Sequence, residues 1–126
     1  MSTIYFLISF LFFLSTISSR PAPLVIYSAV IHNRQNSSIQ CRITWLKPIG
    51  GAFQSDILQI DANKAYAVNE TLFDMGTWTA RAIIQRVQCD NFVLAAPFEG
   101  VRGPSINWKF VVKSSGMTSV RPKTAP

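Results

Sequence analysis

The chain has 126 residues, 48% of them hydrophobic and 14% charged, with twelve Lys and Arg against six Asp and Glu and a net charge of +6. That length suits one domain around a single core, and the apolar content argues against a wholly disordered chain. With two cysteines and one histidine, the chain can build neither a cysteine zinc cluster nor a C-x-x-C redox pair, and it carries no phosphate loop, nucleotide fingerprint or nucleophile elbow.

Met1 to Ser19 hold no charged side chain, and Ile4 to Ile17 is almost wholly apolar. Fourteen such residues rise only about 21 Å as a helix, short of the roughly 30 Å core of a bilayer. Small residues follow (Ser15, Ser18, Ser19), then Arg20-Pro21, so residues 1–19 resemble a secretory signal peptide ending in a cleavage site. The n-region departs from that pattern in having no Lys or Arg. Residues 20–113 are expected to form the domain, and 114–126 a flexible polar tail, small-residued and containing Pro. An exported chain meets an oxidising compartment, where Cys41 and Cys89 pair most simply with each other.

From Pro23 to Ile31 both faces are apolar, as in a strand covered on two sides. After a polar turn at Asn33–Ser38, the residues Ile39, Cys41, Ile43 and Trp45 alternate with Gln40, Arg42 and Thr44, a half-buried strand. Lys47-Pro48-Ile49-Gly50-Gly51 ends it. Two further strands are expected near Phe53–Ile60 and Ala65–Phe73, with Tyr66, Val68 and Leu72 on one face. Trp78, Ala80, Ala82 and Ile84 share the inner face of the next. There Ala80, Ile83, Ile84 and Val87 also fit a helical spacing. The strand reading requires a bulge at Gln85-Arg86 to return Val87 and Cys89 to the inside. The last strand places Ile106, Trp108, Phe110 and Val112 inward against Asn107, Lys109 and Lys113.

Six or seven short strands with turns every eight to twelve residues predict an all-β, antiparallel two-sheet sandwich held by one disulfide. Asp74-Met75-Gly76-Thr77-Trp78-Thr79-Ala80 resembles the D-x-G-x-Y-x-C corner of immunoglobulin domains, with Trp in place of Tyr and Ala80 in place of Cys. The resemblance covers seven residues and implies an Ig-like sandwich. Cys41 and Trp45 sharing one strand departs from the family pattern.

Asn36-Ser37-Ser38 and Asn69-Glu70-Thr71 are N-glycosylation sequons. If the Trp78 and Trp108 strands are neighbours, Arg81 joins Lys109 and Lys113 in a basic stripe that Arg86 extends. Such a stripe either recognises sulfate, phosphate or carboxylate groups or solvates an exposed face. The loop Ala95–Pro104 offers Phe98, Arg102 and Glu99 as contacts, unless Phe98 and Val101 tuck back over the core. His32 alone supplies no catalytic constellation. These features predict a secreted, non-enzymatic binding module for an extracellular protein or anionic glycan, with no cofactor, no metal and no nucleic-acid partner. The alternative is a lipid-interacting or membrane-active secreted β-sandwich binding anionic lipid, since Trp, Phe and positive charge coincide on a small domain.

Overall fold

The computed structural model describes residues 22–123. The leader expected at Met1–Ser19 lies outside them, as do the last three residues of the expected tail. Among the described residues every regular element is a strand: β1 (Ala29–Asn33), β2 (Ile39–Leu46), β3 (Ala52–Gln54), β4 (Leu58–Ile60), β5 (Ala65–Val68) and β6 (Leu72–Asp74), then β7 (Thr79–Arg81), β8 (Ile83–Cys89), β9 (Phe92–Ala95), β10 (Trp108–Lys113) and β11 (Gly116–Val120). One sheet has the order β11-β10-β1-β5. A second runs β3-β2-β8-β9 with β4 also on β2, and β6-β7 form a separate ribbon. All strand pairs are antiparallel except β1 with β10, which run parallel. The expectation of a purely antiparallel fold is corrected there.

A single buried cluster joins the two larger sheets. Ile31, Trp108, Phe110, Val112 and Met117 come from the first, and Ile39, Cys41, Ile43, Trp45, Ile84, Val87 and Cys89 from the second. Burying aliphatic side chains of this size stabilises by about 1.5–3 kcal/mol each. Phe98 packs edge-on against Phe110, with ring centroids 5.1 Å apart.

The expected bulge is present. Thr44 lies opposite Arg86 and Trp45 opposite Ile84, so Gln85 is the extra residue. Ile84, Val87 and Cys89 are all buried while Gln85 and Arg86 are exposed. The segment is therefore a strand, and its helical spacing is a by-product of the bulge. Cys41 and Cys89 are register partners on β2 and β8, and their disulfide bridges neighbouring strands of one sheet.

The strand count exceeds six or seven because side chains interrupt two expected strands. Ser55 divides β3 from β4: its N–H donates to the Ile43 carbonyl at 2.8 Å, and its Oγ accepts the Ile43 N–H at 3.0 Å. The Asn69–Thr71 stretch resets the alternation between β5 and β6. Val68 stays buried, but Tyr66 and Leu72 are exposed and Phe73 turns inward instead, its ring 5.9 Å from Phe53.

Trp78 also departs from expectation. It sits in the β6–β7 turn, 59% exposed, where the Asp74 carboxylate accepts the Gly76 N–H at 2.9 Å and the Met75 N–H donates to the Trp78 carbonyl. The Asp74–Ala80 motif thus makes a hairpin tip instead of a corner on the core. Ile106 is exposed too, since Asn107 adopts φ 55° just before β10 begins.

The expected loose tail gives way to β11 over Gly116–Val120. Met117 is buried, and Ser119 accepts the Trp108 indole N–H at 2.7 Å while donating to the Glu99 carbonyl at 2.7 Å. A buried indole needs such an acceptor, and β11 supplies it.

The cystine closes a loop whose ends are 48 residues apart. Replacing both Cys41 and Cys89 with Ala is expected to cost about 4 kcal/mol in the chain-entropy account, measured as a fall in urea midpoint; an unchanged midpoint would contradict it.

Candidate functional site: a cationic outer sheet face

Residues of the first sheet that point away from the core follow from the register. β10 presents Lys109, Val111 and Lys113; β1 presents Val30 and His32; β5 presents Ala65 and Ala67; β11 presents Thr118 and Val120. The parallel pairing sets Val30 beside Lys109 and His32 beside Val111. Small aliphatic residues form the floor, and the cations stand around it.

The end of β1 adds two more. Asn33 is 1% exposed and turns inward, where its Nδ2 donates to the carbonyls of Ser37 (2.9 Å), Ile60 (3.1 Å) and Asp61 (3.1 Å). Its Oδ1 accepts the Gln35 N–H at 3.0 Å. Its own N–H donates to the Lys64 carbonyl, and the Arg34 N–H donates to the Val112 carbonyl. These bonds bring Arg34 and Lys64 to the rim beside His32. Two shallow depressions meet at Arg34: one is lined by His32, Asn63, Lys64 and Ala65, the other by Gln35, Asn36, Val111, Lys113 and Ser114.

Electrostatics identify the cluster independently of the register. Burial, and then the charges of Lys109 and Arg34, hold the His32 imidazole below its ordinary value, so it is mainly neutral at pH 7. No acidic residue takes an outward register position on this sheet. Among the described residues the one ion pair is Arg81 with Glu70, at 3.1 Å.

Lys109 and Lys113 share the face as expected, but Arg81 does not join them. Its strand, β7, pairs with β6 alone, and its guanidinium lies 3.7 Å from the centroid of the Tyr27 ring while bonded to Glu70. Arg86 belongs to the other sheet. Phe98 and Val101 are buried, which makes the Ala95–Pro104 loop a cover for the core; Arg102 and Glu99 remain exposed on it. Gly100 has φ 90°, a conformation that residues with a Cβ rarely adopt, so the loop depends on glycine at that point. Asn36 and Asn69 are both exposed in connecting segments, Asn36 at the rim of the cationic face.

His32, Arg34 and Lys64 are the members that strand-by-strand reading misses. Arg34 and Lys64 lie just outside strands, and the β1–β5 pairing with the Asn33 and Arg34 hydrogen bonds brings them together. Among the described residues no three of His, Cys, Asp and Glu gather closely enough to hold a metal ion.

No protein-family model, curated protein or solved structure matches this chain.

Because the folded-state value of His32 is depressed, the unfolded chain takes up this proton first as pH falls. The stability held by the neutral imidazole is present above the unfolded value of about 6.5 and diminishes as pH falls through and below it. His32→Gln is therefore expected to lose less stability than the native chain between pH 8 and pH 5 in urea titrations. Parallel pH dependences in the two proteins would rule this out.

Proposed function

We propose that the chain is a secreted, non-enzymatic binding module that recognises an anionic glycan through the outer face of β1 and β10. The scaffold we propose is a two-sheet β-sandwich, immunoglobulin-like in outline, with its cystine within one sheet. The core shared by the two sheets supports the sandwich, and the disulfide fits an extracellular location. The basic balance of the chain supplies long-range attraction to anionic partners.

The observation that carries the reading is the grouping of Lys109, Lys113, Arg34, Lys64 and His32 with no carboxylate paired to them among the described residues. A face that only needed solubility gains nothing from excluding acids, since mixed signs serve that end better. An open, shallow, aliphatic-floored surface suits a flexible chain of sulfate or carboxylate groups more than a protein knob, which needs a pocket for its anchor. His32 contributes as a hydrogen-bond donor when neutral, and a bound anion raises its proton affinity.

A second reading, binding to anionic lipid, is favoured by one observation. Trp78 (59% exposed) and Ile49 (73% exposed) stand on hairpin turns, and an exposed indole suits the membrane interface. Under that reading Trp78→Ala loses co-sedimentation with anionic vesicles while Lys109→Gln/Lys113→Gln retains it.

Under the glycan reading, Lys109→Gln/Lys113→Gln elutes from heparin resin at lower salt. At up to about 1 kcal/mol per exposed charge, affinity falls by at most roughly thirtyfold. Arg81→Gln leaves elution unchanged, because that guanidinium is already occupied. Equal elution of the lysine variant and the native chain would defeat the proposal.

A further inference from the structure

We infer that the outer face of the five-stranded sheet is a second anion-binding surface, so that one chain holds two polyanion segments on opposite sides. The inference rests on the glycan reading above and extends it to residues that reading does not use. The outward register positions of this sheet are Gln40, Arg42, Thr44 and Leu46 on β2, Ala52 and Gln54 on β3, Gln59 on β4, Ile83, Arg86 and Gln88 on β8, and Val93 and Ala95 on β9.

No acid occupies any of those positions. All six acidic residues of the chain (Asp56, Asp61, Glu70, Asp74, Asp90, Glu99) lie in turns, connections or strand ends. Asp90 borders this face at the β8–β9 turn, where its Oδ1 accepts the Gln40 N–H at 3.1 Å, a bond that offsets part of its negative charge. Positive charge thus takes outward strand positions on both sheets, while the carboxylates stay at turns and strand ends, Asp90 at the end of this face and Asp61 in the turn that carries Lys64.

The geometry on β8 is specific. Arg42 lies directly across from Gln88, and Arg86 is two residues along the same strand. Arg86 Nη2 donates to Gln88 Oε1 at 3.4 Å, and Gln88 Nε2 donates to the Asp90 carbonyl at 3.5 Å. These bonds lay the Gln88 side chain along the strand, bonded to the Arg86 guanidinium and with Arg42 across from it on β2. Beside it runs a groove lined by Gln40, Arg42, Ile57, Gln88 and Asp90 over Cys41. Guanidinium forks match sulfate and carboxylate oxygens, and side-chain amides both donate to and accept from sugar hydroxyls. The ligand class is the same as for the first face, a sulfated or carboxylated polysaccharide, read by arginine and glutamine instead of lysine and histidine.

The two faces act separately. Sheets in a sandwich stand about 10 Å apart, and the side chains on both outer surfaces add to that distance. Screening at physiological salt has a length of about 8 Å, so occupying one face leaves the other attractive. A two-faced binder bridges chains and gains avidity on a repeating polymer without new contacts.

The test is the stoichiometry of a short, size-defined heparin oligosaccharide on the oxidised chain, measured by calorimetry and paired with clumping of heparin-coated beads. The native chain is expected to bind about two oligosaccharides and to clump beads. Arg42→Gln/Arg86→Gln, changed only at outward positions, falls to about one and stops clumping while keeping its heparin binding, and Lys109→Gln/Lys113→Gln does the same from the other side. Saturation of the native chain at one oligosaccharide, with binding untouched in the arginine variant, overturns the second surface and leaves the first standing. Absence of any binding by the native chain overturns the glycan reading itself. Because the native stoichiometry decides, a variant that failed to fold would not rescue the inference.

Discussion

One extra residue in β8 holds the two halves of this fold in phase. A strand turns successive side chains to opposite faces, so a uniform β8 with Ile84 inward would also turn Arg86 and Gln88 inward and send Val87 and Cys89 to solvent. Gln85 absorbs the shift opposite Thr44, and both Ile84 and Val87 reach the core. Cys89 then meets Cys41 on the same face, which the disulfide requires. Arg86 and Gln88 are left outside beside Arg42. The core, the cystine and the arginine face all follow from that single insertion.

On the other sheet the corresponding constraint is a buried amide. Asn33 ends β1 inside the molecule, where its side chain satisfies three carbonyls and one N–H. An unpaired amide there would cost roughly 1–3 kcal/mol per lost partner, so the turn carrying Lys64 and the segment carrying Gln35 are tied to one point. The cationic rim owes its position to an uncharged residue. The parallel alignment of β1 with β10 does the rest, since it settles which β10 side chains flank His32.

Sequence periodicity carried the local part of this architecture. Ile39, Cys41, Ile43 and Trp45 alternate so regularly that their strand and inner face are visible unaided, and the broken period over Ala80–Cys89 called for the bulge that is found. Pairing between strands is another matter. Nothing in Ala29–Asn33 signals a parallel partner nearly eighty residues away, and without that pairing Arg81 is as plausible a neighbour of Lys109 as His32. Trp78 misled for a related reason: a large apolar residue in alternation reads as core, yet the Asp74–Gly76 turn places it at a tip. The tail hid β11 because Gly116–Val120 offers only Met117 and Val120 as apolar residues among small polar ones, and its contribution is Met117 in the core and one hydroxyl meeting one indole.

Net charge alone distinguishes weakly between a soluble domain and a polyanion binder, because either needs a surplus of one sign. Arrangement distinguishes them better. A domain charged only for solubility lowers its self-repulsion by interspersing acids among bases, and neighbouring strand positions are where that relief is greatest. Here no acid takes an outward strand position on either of the two larger sheets, and the one ion pair among the described residues joins Glu70 to Arg81, outside both sheets. The proton affinity of the His32 imidazole, lowered first by burial, is lowered further by the charges of Lys109 and Arg34. Repulsion left uncompensated in the free protein is relieved when an external anion arrives, and that relief adds to the binding free energy. Under the proposed glycan reading, the same sorting that makes each face electrostatically costly in isolation would favour a partner carrying repeated negative charge.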